Sequence, residues 1–491
     1  MSSDLKTAPV QAIVLAAGAS SRFKSDRTKM AEKICGREMI LYPTAVLASL
    51  EIPILMVVGY QRGLVEEIVK KEFNHKVTFI HQVEQLGTGH AIKCTRSAWK
   101  SDHILVMNGD MPLVTPEIIE KLYKKHTNAD AAISFVTAHH CDPNAMYGRV
   151  IQADNNIQII EAKELDGNLE EHCCINAGIY LIKRSFLENF IDSLEVNKAG
   201  KEWYITDLVK IASDNNLKVE TVTAAYDKIR GVNDFKELWA VEQIKKSEII
   251  QYWMAHGVRF TIAHNVHIDW DVTIGKGSTI ESGVQLTEGT KIGCDVVVGA
   301  FSSLNNCVIG DRTIIKTHTV IDDSLIKSDC KIGPFAFIHG HSSIENEAVI
   351  GSFVEVNRTT VGERSKSRHL SYLGDTEVGK GVILGAGLIT CNYNGSTKNK
   401  TIIKSNAFIG GNNTLVAPVT INEWAMTAAG STITEDVPTN ALAIARERQL
   451  NKEGYAKTVR EKNQKTEKSV TEEPHQFVAA IKLDISYDQV G

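Results

Sequence analysis

At 491 residues the chain exceeds one ordinary domain, and two or three are expected. Its 54 Lys+Arg against 59 Asp+Glu leave a formal charge of −5, which gives no electrostatic case for a nucleic acid or an anionic membrane, and no apolar run approaches the ~20 residues of a membrane span. Nine scattered cysteines with no Cys-x-x-Cys pattern, Cys173-Cys174 being the one close pair, and a segment Met1 to Pro9 without a signal-peptide core fit a reducing cytoplasm.

In chain order, Ala12-Ile13-Val14-Leu15 is an uninterrupted apolar run and predicts a parallel strand buried on both faces. It leads into Leu15-Ala16-Ala17-Gly18-Ala19-Ser20-Ser21-Arg22, with Lys29 seven residues further on. Small side chains let backbone N–H groups approach a phosphate, and Arg22 and Lys29 would neutralise its charge. The segment is neither a Walker loop nor Gly-x-Gly-x-x-Gly, and alone it also fits an ordinary strand-to-helix turn. Strands over 54–58, 77–80 and 104–107 alternate with helices over 64–71 and 88–99, a pattern that extends to about residue 230. That predicts a doubly wound α/β domain, Rossmann-like and largely parallel, whose ligands sit beyond the strand C-termini. Asn108-Gly109-Asp110 places a carboxylate at that edge, where a divalent cation would bridge it to phosphates; a lone Asp there is also a common turn or cap residue.

From Asp234 to His256, Leu238, Val241, Ile244 and Tyr252 recur at helical spacing between charges, which predicts a connecting helix packed on both halves. The period then becomes six. Ile274, Ile280, Leu286, Ile292, Val298 and Leu304 are followed by Ile332, Ile338, Ile344, Ile350 and Val356, and later by Ile409, Leu415 and Ile421. Glycine follows many of them, as at Gly275, Gly293, Gly333 and Gly410. Inward aliphatics every six residues predict a parallel β-helix, each short strand forming one side of a prism. Two stretches, 368–375 and 385–395, interrupt the count, and the second opens a polar loop over 394–400. Beyond Tyr455 the chain is rich in Lys, Glu, Thr and Gln and reads as disordered. The expected organisation is 1–230, a linker helix over 231–257, a β-helix over 258–455 and a tail over 456–491.

Several segments occur in the order seen in sugar-1-phosphate nucleotidylyltransferases: Leu15 to Lys29, Gln82 to Ala91 (Gln-Val-Glu-Gln-Leu-Gly-Thr-Gly-His-Ala), Asn108 to Leu113, Tyr147-Gly148-Arg149, Glu161, Ile175 to Gly178, Trp203 to Asp207 and Gly231-Val232-Asn233. Over about 10–455 the chain resembles the family of bacterial bifunctional N-acetylglucosamine-1-phosphate uridylyltransferases / glucosamine-1-phosphate acetyltransferases. The resemblance implies UTP and N-acetylglucosamine 1-phosphate as substrates, Mg²⁺ as cofactor, and Arg22 and Lys29 as catalytic cations. Leu15, Ala16, Ala17, Gly18, Lys29, Asn108 and Gly109 would then lie along the nucleotide, and Gln82, Gly87 and Thr88 would face the uracil. Gly148, Glu161 and Asn176 would hold the sugar, and Asp110 and Asn233 the metal. The family's Gly-x-Gly is Gly18-Ala19-Ser20 here, so a tighter phosphate loop is expected, and its Pro before the lysine is Thr28. A sugar 1-phosphate is largely dianionic at neutral pH and is itself the nucleophile, so this half requires no general base.

For the β-helix the resemblance implies a left-handed coil, a homotrimer, and acetyl transfer from acetyl-CoA to glucosamine 1-phosphate. An attacking amine must be deprotonated, a task that suits a histidine, and His369 matches the family's base. Ala386 matches the residue whose backbone N–H holds the thioester oxyanion, Tyr372 an acceptor contact, and Asn392, Tyr393, Ala429 and Arg446 contacts to acetyl-CoA. Other positions depart: the acceptor's cations fall on His339 and Asn357, an acceptor Asn on Ile383, and a CoA-contacting Ser on Gly411. Arg358, beside Asn357, is the nearest replacement cation. These departures keep open a single-activity uridylyltransferase whose β-helix serves assembly.

Overall fold

A computed structural model describes residues 8–19, 21–142, 147–153, 156–162, 172–196 and 202–470. The loop residue Ser20, and the tail beyond 470, lie outside them. The N-terminal half is built on one sheet of strands β1 (Val10–Ala16), β2 (Ile54–Val58), β3 (Val77–His81), β4 (His103–Asn108), β5 (Ile133–His139), β6 (Arg149–Ala153), β7 (Asn156–Ile160), β8 (Cys174–Lys183) and β9 (Val219–Thr223). Its order is β9-β5-β8-β4-β1-β2-β3, with β6 and β7 paired off β8. β8 runs antiparallel to both neighbours, whereas β1 is parallel to β2 and β4. Apolar clusters cover both faces, which is why β1, β2 and β4 read as continuous hydrophobic runs. In the helix expected over 88–99 the α-helical part ends at Cys94 and a 3₁₀ turn follows over Arg96–Ala98.

The connecting helix runs Phe235–Ala255. Its first turn is capped from both sides: Asp234 Oδ1 accepts from the Glu237 N–H at 2.8 Å, and Glu237 Oε2 reaches back past the N-cap to accept from the Asn233 N–H at 2.6 Å. Leu238 and Val241 pack with Phe23, Ile34 and Tyr42 of the N-terminal half, while Ile250 joins the core of the β-helix. The halves also meet at Arg37, which pairs with Glu72 and lies 4.2 Å from the Trp270 ring centroid.

The second half is a left-handed parallel β-helix of three sheet faces. The aliphatics singled out by the six-residue spacing are all buried inside it. The count shortens to five at Leu304–Ile309, Ile321–Ile326 and Val356–Val361, each step still landing on a buried aliphatic. The interruptions at 368–375 and 385–395 are local: one five-residue step runs from Leu373 to Val378, and an insertion begins after Thr390. Ser367 and Leu373, then Leu384 and Thr390, keep six-residue steps with fully buried Ser367 and Thr390 in inward slots. Polar residues there hid the period; the one insertion is the loop between Thr390 and Ile403. Corner residues adopt left-handed backbone in successive coils, including the bulky Phe301, His318, Phe335, Phe353 and Leu370.

Two further expectations are corrected. Tyr455–Val470, read as the start of a disordered tail, is a helix. Its Lys, Glu, Gln and Ala have good intrinsic helix propensity, and residues 455–464 are all exposed. Cys141 and Cys173, 32 positions apart, are joined by a disulfide, where the sequence reading expects reduced thiols. Among the described residues, no helix is long and apolar enough to cross a membrane.

Candidate active sites

The first site lies at the C-terminal edge of the sheet. Leu15, one residue before the end of β1, is in register with Asn108 at the end of β4, and the Gly109 N–H donates to the Leu15 carbonyl at 2.9 Å, so Asp110 emerges beside the loop after β1. A cavity of about 300 Å³ opens there, lined by Leu15, Arg22, Thr88, Asn108, Asp110, Tyr147, Gly148, Glu161, Asn176, Thr206 and Asn233. Lys29 enters from the 3₁₀ turn Lys29–Ala31, which is capped by the Thr28 side chain. Its ammonium pairs with Asp110 and donates to the Val232 carbonyl at 3.0 Å and to Asn233 Oδ1 at 3.4 Å. Three segments far apart in sequence are thereby gathered onto one cation. Ala16 and Ala17 are buried and Gly18 is exposed, where an added methyl would meet nothing within 4 Å. Open space over the turn leaves room for a phosphate.

At the other end of the cavity, Glu161 Oε1 accepts from Thr206 Oγ1 at 3.0 Å. Asn176 donates to the Tyr180 hydroxyl at 2.6 Å and accepts from the Gly178 N–H at 3.1 Å. Burial pushes the Tyr180 and Tyr147 phenols well above their ordinary range, so both stay protonated donors. Gln82 is buried; its amide donates to the Gly87 carbonyl at 3.2 Å and lies 3.1 Å from His90 Nδ1. It therefore braces the Gly87-Thr88 turn from behind. Thr88 Oγ1 accepts from the Ile205 N–H at 3.0 Å, which ties that turn to the segment carrying Thr206. Sequence reasoning gave no role to Thr206, Tyr147 or the Val232 carbonyl. All three lay within quoted motifs, but nothing in the sequence pairs them with Glu161 or Lys29.

The second site lies on an edge of the prism. His369 belongs to the strand Lys366–Gly374, stands in register with Ser352 and is exposed at a groove of about 800 Å³. Lys316, Lys331, Lys366 and Arg368 line that groove with Asp329 and Glu347. The registers Lys366–Ile383–Phe408–Met426 put Ala386, Gly411 and Ala429 in one column below His369, one per coil. Arg446 lies at the foot of the column, its Cδ 3.8 Å from a methyl placed on Gly430. A run of such small residues leaves a shallow track along the edge.

The face beside His369 carries a polar cluster. Arg358 forks onto Asp375 at 2.7 and 3.0 Å and donates to Asn357 Oδ1 at 2.6 Å, and Asn392 also bonds Asp375. Gly374 is needed here: a Cβ would meet the Tyr372 hydroxyl at 2.5 Å and Asn392 Nδ2 at 2.8 Å. Arg358 is thus already neutralised by Asp375. His339 Nε2 is 3.3 Å from Glu355 Oε1, Ile383 is exposed, and Tyr393 lies exposed at the start of the 394–400 loop.

Comparison with known proteins covers nearly the whole chain. Residues 12–163 match the model of the MobA-like NTP transferase domain, and residues 262–371 match that of the GMPPB C-terminal domain. The bifunctional protein GlmU of Clostridioides difficile is 39% identical over 94% of this chain and 99% of its own length. Those of Koribacter versatilis and Streptococcus thermophilus are 37% and 38% identical, over 92% and 91% of this chain and 97% of theirs.

Proposed function

The chain belongs to the family of bifunctional GlmU proteins, and from that premise we propose how its two sites divide one synthesis. It is a bifunctional enzyme of UDP-N-acetylglucosamine formation. Acetyl passes from acetyl-CoA to glucosamine 1-phosphate, and uridylyl then passes from UTP to N-acetylglucosamine 1-phosphate with release of pyrophosphate.

The convergence of Lys29, Asp110 and Asn233 in a cavity that Arg22 also lines carries the assignment of uridylyl transfer to the first site. The sugar phosphate attacks the α-phosphorus with no base required, so the protein's task is position and charge. Arg22 and Lys29 meet the triphosphate, Gln82, Gly87 and Thr88 shape the uracil end, and Gly148, Glu161 and Asn176 hold the sugar. Nucleotidyltransferases of this kind use a divalent metal, and we assign Mg²⁺. Asp110 and Asn233 offer hard oxygen donors already turned to one cationic nitrogen, which fits that ion. Bound, it would supply further positive charge against the phosphates.

In the second site His369 removes a proton from the acceptor amine as the amine attacks the thioester. The Ala386 N–H meets the developing oxyanion, and acetyl-CoA follows the column through Gly411 and Ala429 to Arg446. Tyr372 contacts the acceptor, and Asn392 and Tyr393 contact acetyl-CoA. UTP and acetyl-CoA as substrates place the enzyme in the cytoplasm.

A product assay by mass spectrometry, with glucosamine 1-phosphate, acetyl-CoA and UTP each omitted in turn, tests this reading. UDP-N-acetylglucosamine forms only with all three; pyrophosphate release without the nucleotide sugar overturns it. The engagement of Arg358 by Asp375, with His339, Asn357 and Ile383 at acceptor positions, favours a second reading in which the β-helix only assembles the enzyme. Product from N-acetylglucosamine 1-phosphate and UTP, but none from the three-substrate mixture, selects that reading.

A further inference from the structure

Cys141 and Cys173 belong to neither site, yet they bound the segment that walls one of them. They are joined by a disulfide, 32 positions apart in sequence with Cα atoms 4.5 Å apart. The sheet templates this pairing: His139 ends β5 in register with Cys174 at the start of β8, and the His140 N–H donates to the Cys173 carbonyl at 2.8 Å. The ladder therefore presents the two cysteines to one another whether or not they are bonded. Cys141 is exposed, with its Sγ 3.9 Å from each ring nitrogen of His139.

The chain between the cysteines carries Tyr147, Gly148 and Glu161, all lining the first cavity. Arg149, fully buried, donates to the carbonyls of Asp142 at 3.1 Å and Tyr147 at 2.9 Å. Next to Cys141, His140 stacks on Tyr226 at 3.8 Å between centroids, Tyr226 meets Tyr147 edge-on, and the Tyr147 hydroxyl accepts from the Gly231 N–H at 3.3 Å. A continuous set of contacts thus joins the cysteine pair to the sugar end of the cavity.

We propose that Cys141–Cys173 is a reversible thiol–disulfide site that sets how well the first cavity is organised for a sugar phosphate; this rests on reading that cavity as the sugar-phosphate site. The oxidant is a low-molecular-weight disulfide of the glutathione class, RSSR. The Cys141 thiolate attacks one sulfur, the RS–SR bond breaks, and RS⁻ leaves to take up the proton. The Cys173 thiolate then attacks Sγ of Cys141 in the mixed disulfide, and a second RS⁻ leaves and is protonated. Two cysteine thiols lose two electrons and two protons, and RSSR becomes two RSH; excess RSH reverses both steps. Intracellular disulfides of ordinary organisms are usually transient and redox-sensing. The bond tethers both ends of the segment bearing Gly148 and Glu161, so less order must be imposed when the sugar phosphate binds. Arg22, Lys29, Asp110 and Asn233 lie outside the bridged segment, so kcat changes little.

The test poises the full-length protein with oxidised or reduced glutathione and measures uridylyl transfer against N-acetylglucosamine 1-phosphate. Alkylation and peptide mapping run in parallel. Oxidation should protect Cys141 and Cys173 together and lower the sugar-phosphate KM about fivefold, with kcat within about twofold. Cys141→Ser and Cys173→Ser should each hold KM at the reduced value at both poises, while Cys174→Ser keeps the response. An unchanged KM while mapping shows the bond made and broken overturns the proposal. So does the absence of the bond at every poise, or a stoichiometric Zn²⁺ held by His139, Cys141 and Cys173 in the isolated protein. If no uridylyl transfer occurs at either poise, the reading of the cavity fails instead. Limited proteolysis between 141 and 173 then reads the switch, and equal cleavage rates at both poises overturn it.

Discussion

Lys29 contacts Asp110, the Val232 carbonyl and Asn233, so its ammonium organises the metal-binding oxygens as well as offering charge to a phosphate. Asp110→Ala should lower uridylyl turnover by more than tenfold, a barrier increase above about 1.4 kcal/mol, and leave acetyl transfer unchanged. Steady-state pyrophosphate release and acetyl transfer, measured separately, check this. In the second site, Asn357→Lys restores a cation beside the Arg358–Asp375 pair. Acceptor KM should fall by about tenfold or more, the worth of one charge-assisted phosphate contact, with kcat little changed because the phosphate lies away from the reacting amine. Initial rates against glucosamine 1-phosphate decide it. At this scale the sequence made residue types legible but not partners. Arg22, Lys29, Asp110 and Asn233 stand out by type and position, and the fold brings them together. The bond of Glu161 to Thr206, the brace of Gln82 behind Gly87 and the neutralisation of Arg358 join residues by tertiary approach, which no local pattern encodes.

Among elements, β1, β2 and β4 were legible because burial on both faces leaves a run with no polar position. The β-helix was legible where inward slots hold aliphatics and invisible where they hold Ser367 and Thr390. The terminal helix Tyr455–Val470 went unread because it has no apolar face, so helix propensity is its only signal. One element carries a pH dependence. On the helix Pro116–Asn128, His126 is fully buried between Ser134 Oγ at 2.8 Å and His103 Nδ1 at 3.2 Å. Burial, then the neighbouring His103, lowers its pKa to about 3, and His103 is lowered as well. The unfolded chain takes up a proton at His126 near pH 6.5 and the folded chain does not. Stability is therefore complete above about 6.5 and is lost as pH falls toward 3, at up to about 1.4 kcal/mol per pH unit for this one group. Calorimetry of the full chain between pH 7 and 4 should show the N-terminal transition falling steeply, and His126→Gln should flatten that slope by about one proton.

For the whole molecule, the surface of the prism points to self-assembly. Phe301, His318, Phe335 and Phe353 stack along one corner with ring centroids 5.0–5.3 Å apart, and Leu370 continues the row. The four apolar members are 46–64% exposed. A bulky residue in left-handed backbone is unfavourable on its own, and an aromatic row left in water gains little from its position. Covering it removes apolar area at about 25 cal/mol per Å². The corner runs directly into His369-Leu370, so a second copy covering it would also wall the groove that His369 lines. The family resemblance implies three copies, and a threefold arrangement would cover each copy's row in an equal contact. We therefore expect a homotrimer whose acetyltransferase site is completed between subunits. Phe353→Glu places a charge in the row without touching His369 or the buried core. Sedimentation of the full chain should show trimer for the native protein and monomer for the variant. Acetyl transfer should fall by more than about tenfold, while uridylyl transfer, housed within one subunit, persists. A native protein that sediments as a monomer at micromolar concentration, or a monomeric variant with full acetyl transfer, would refute the shared site.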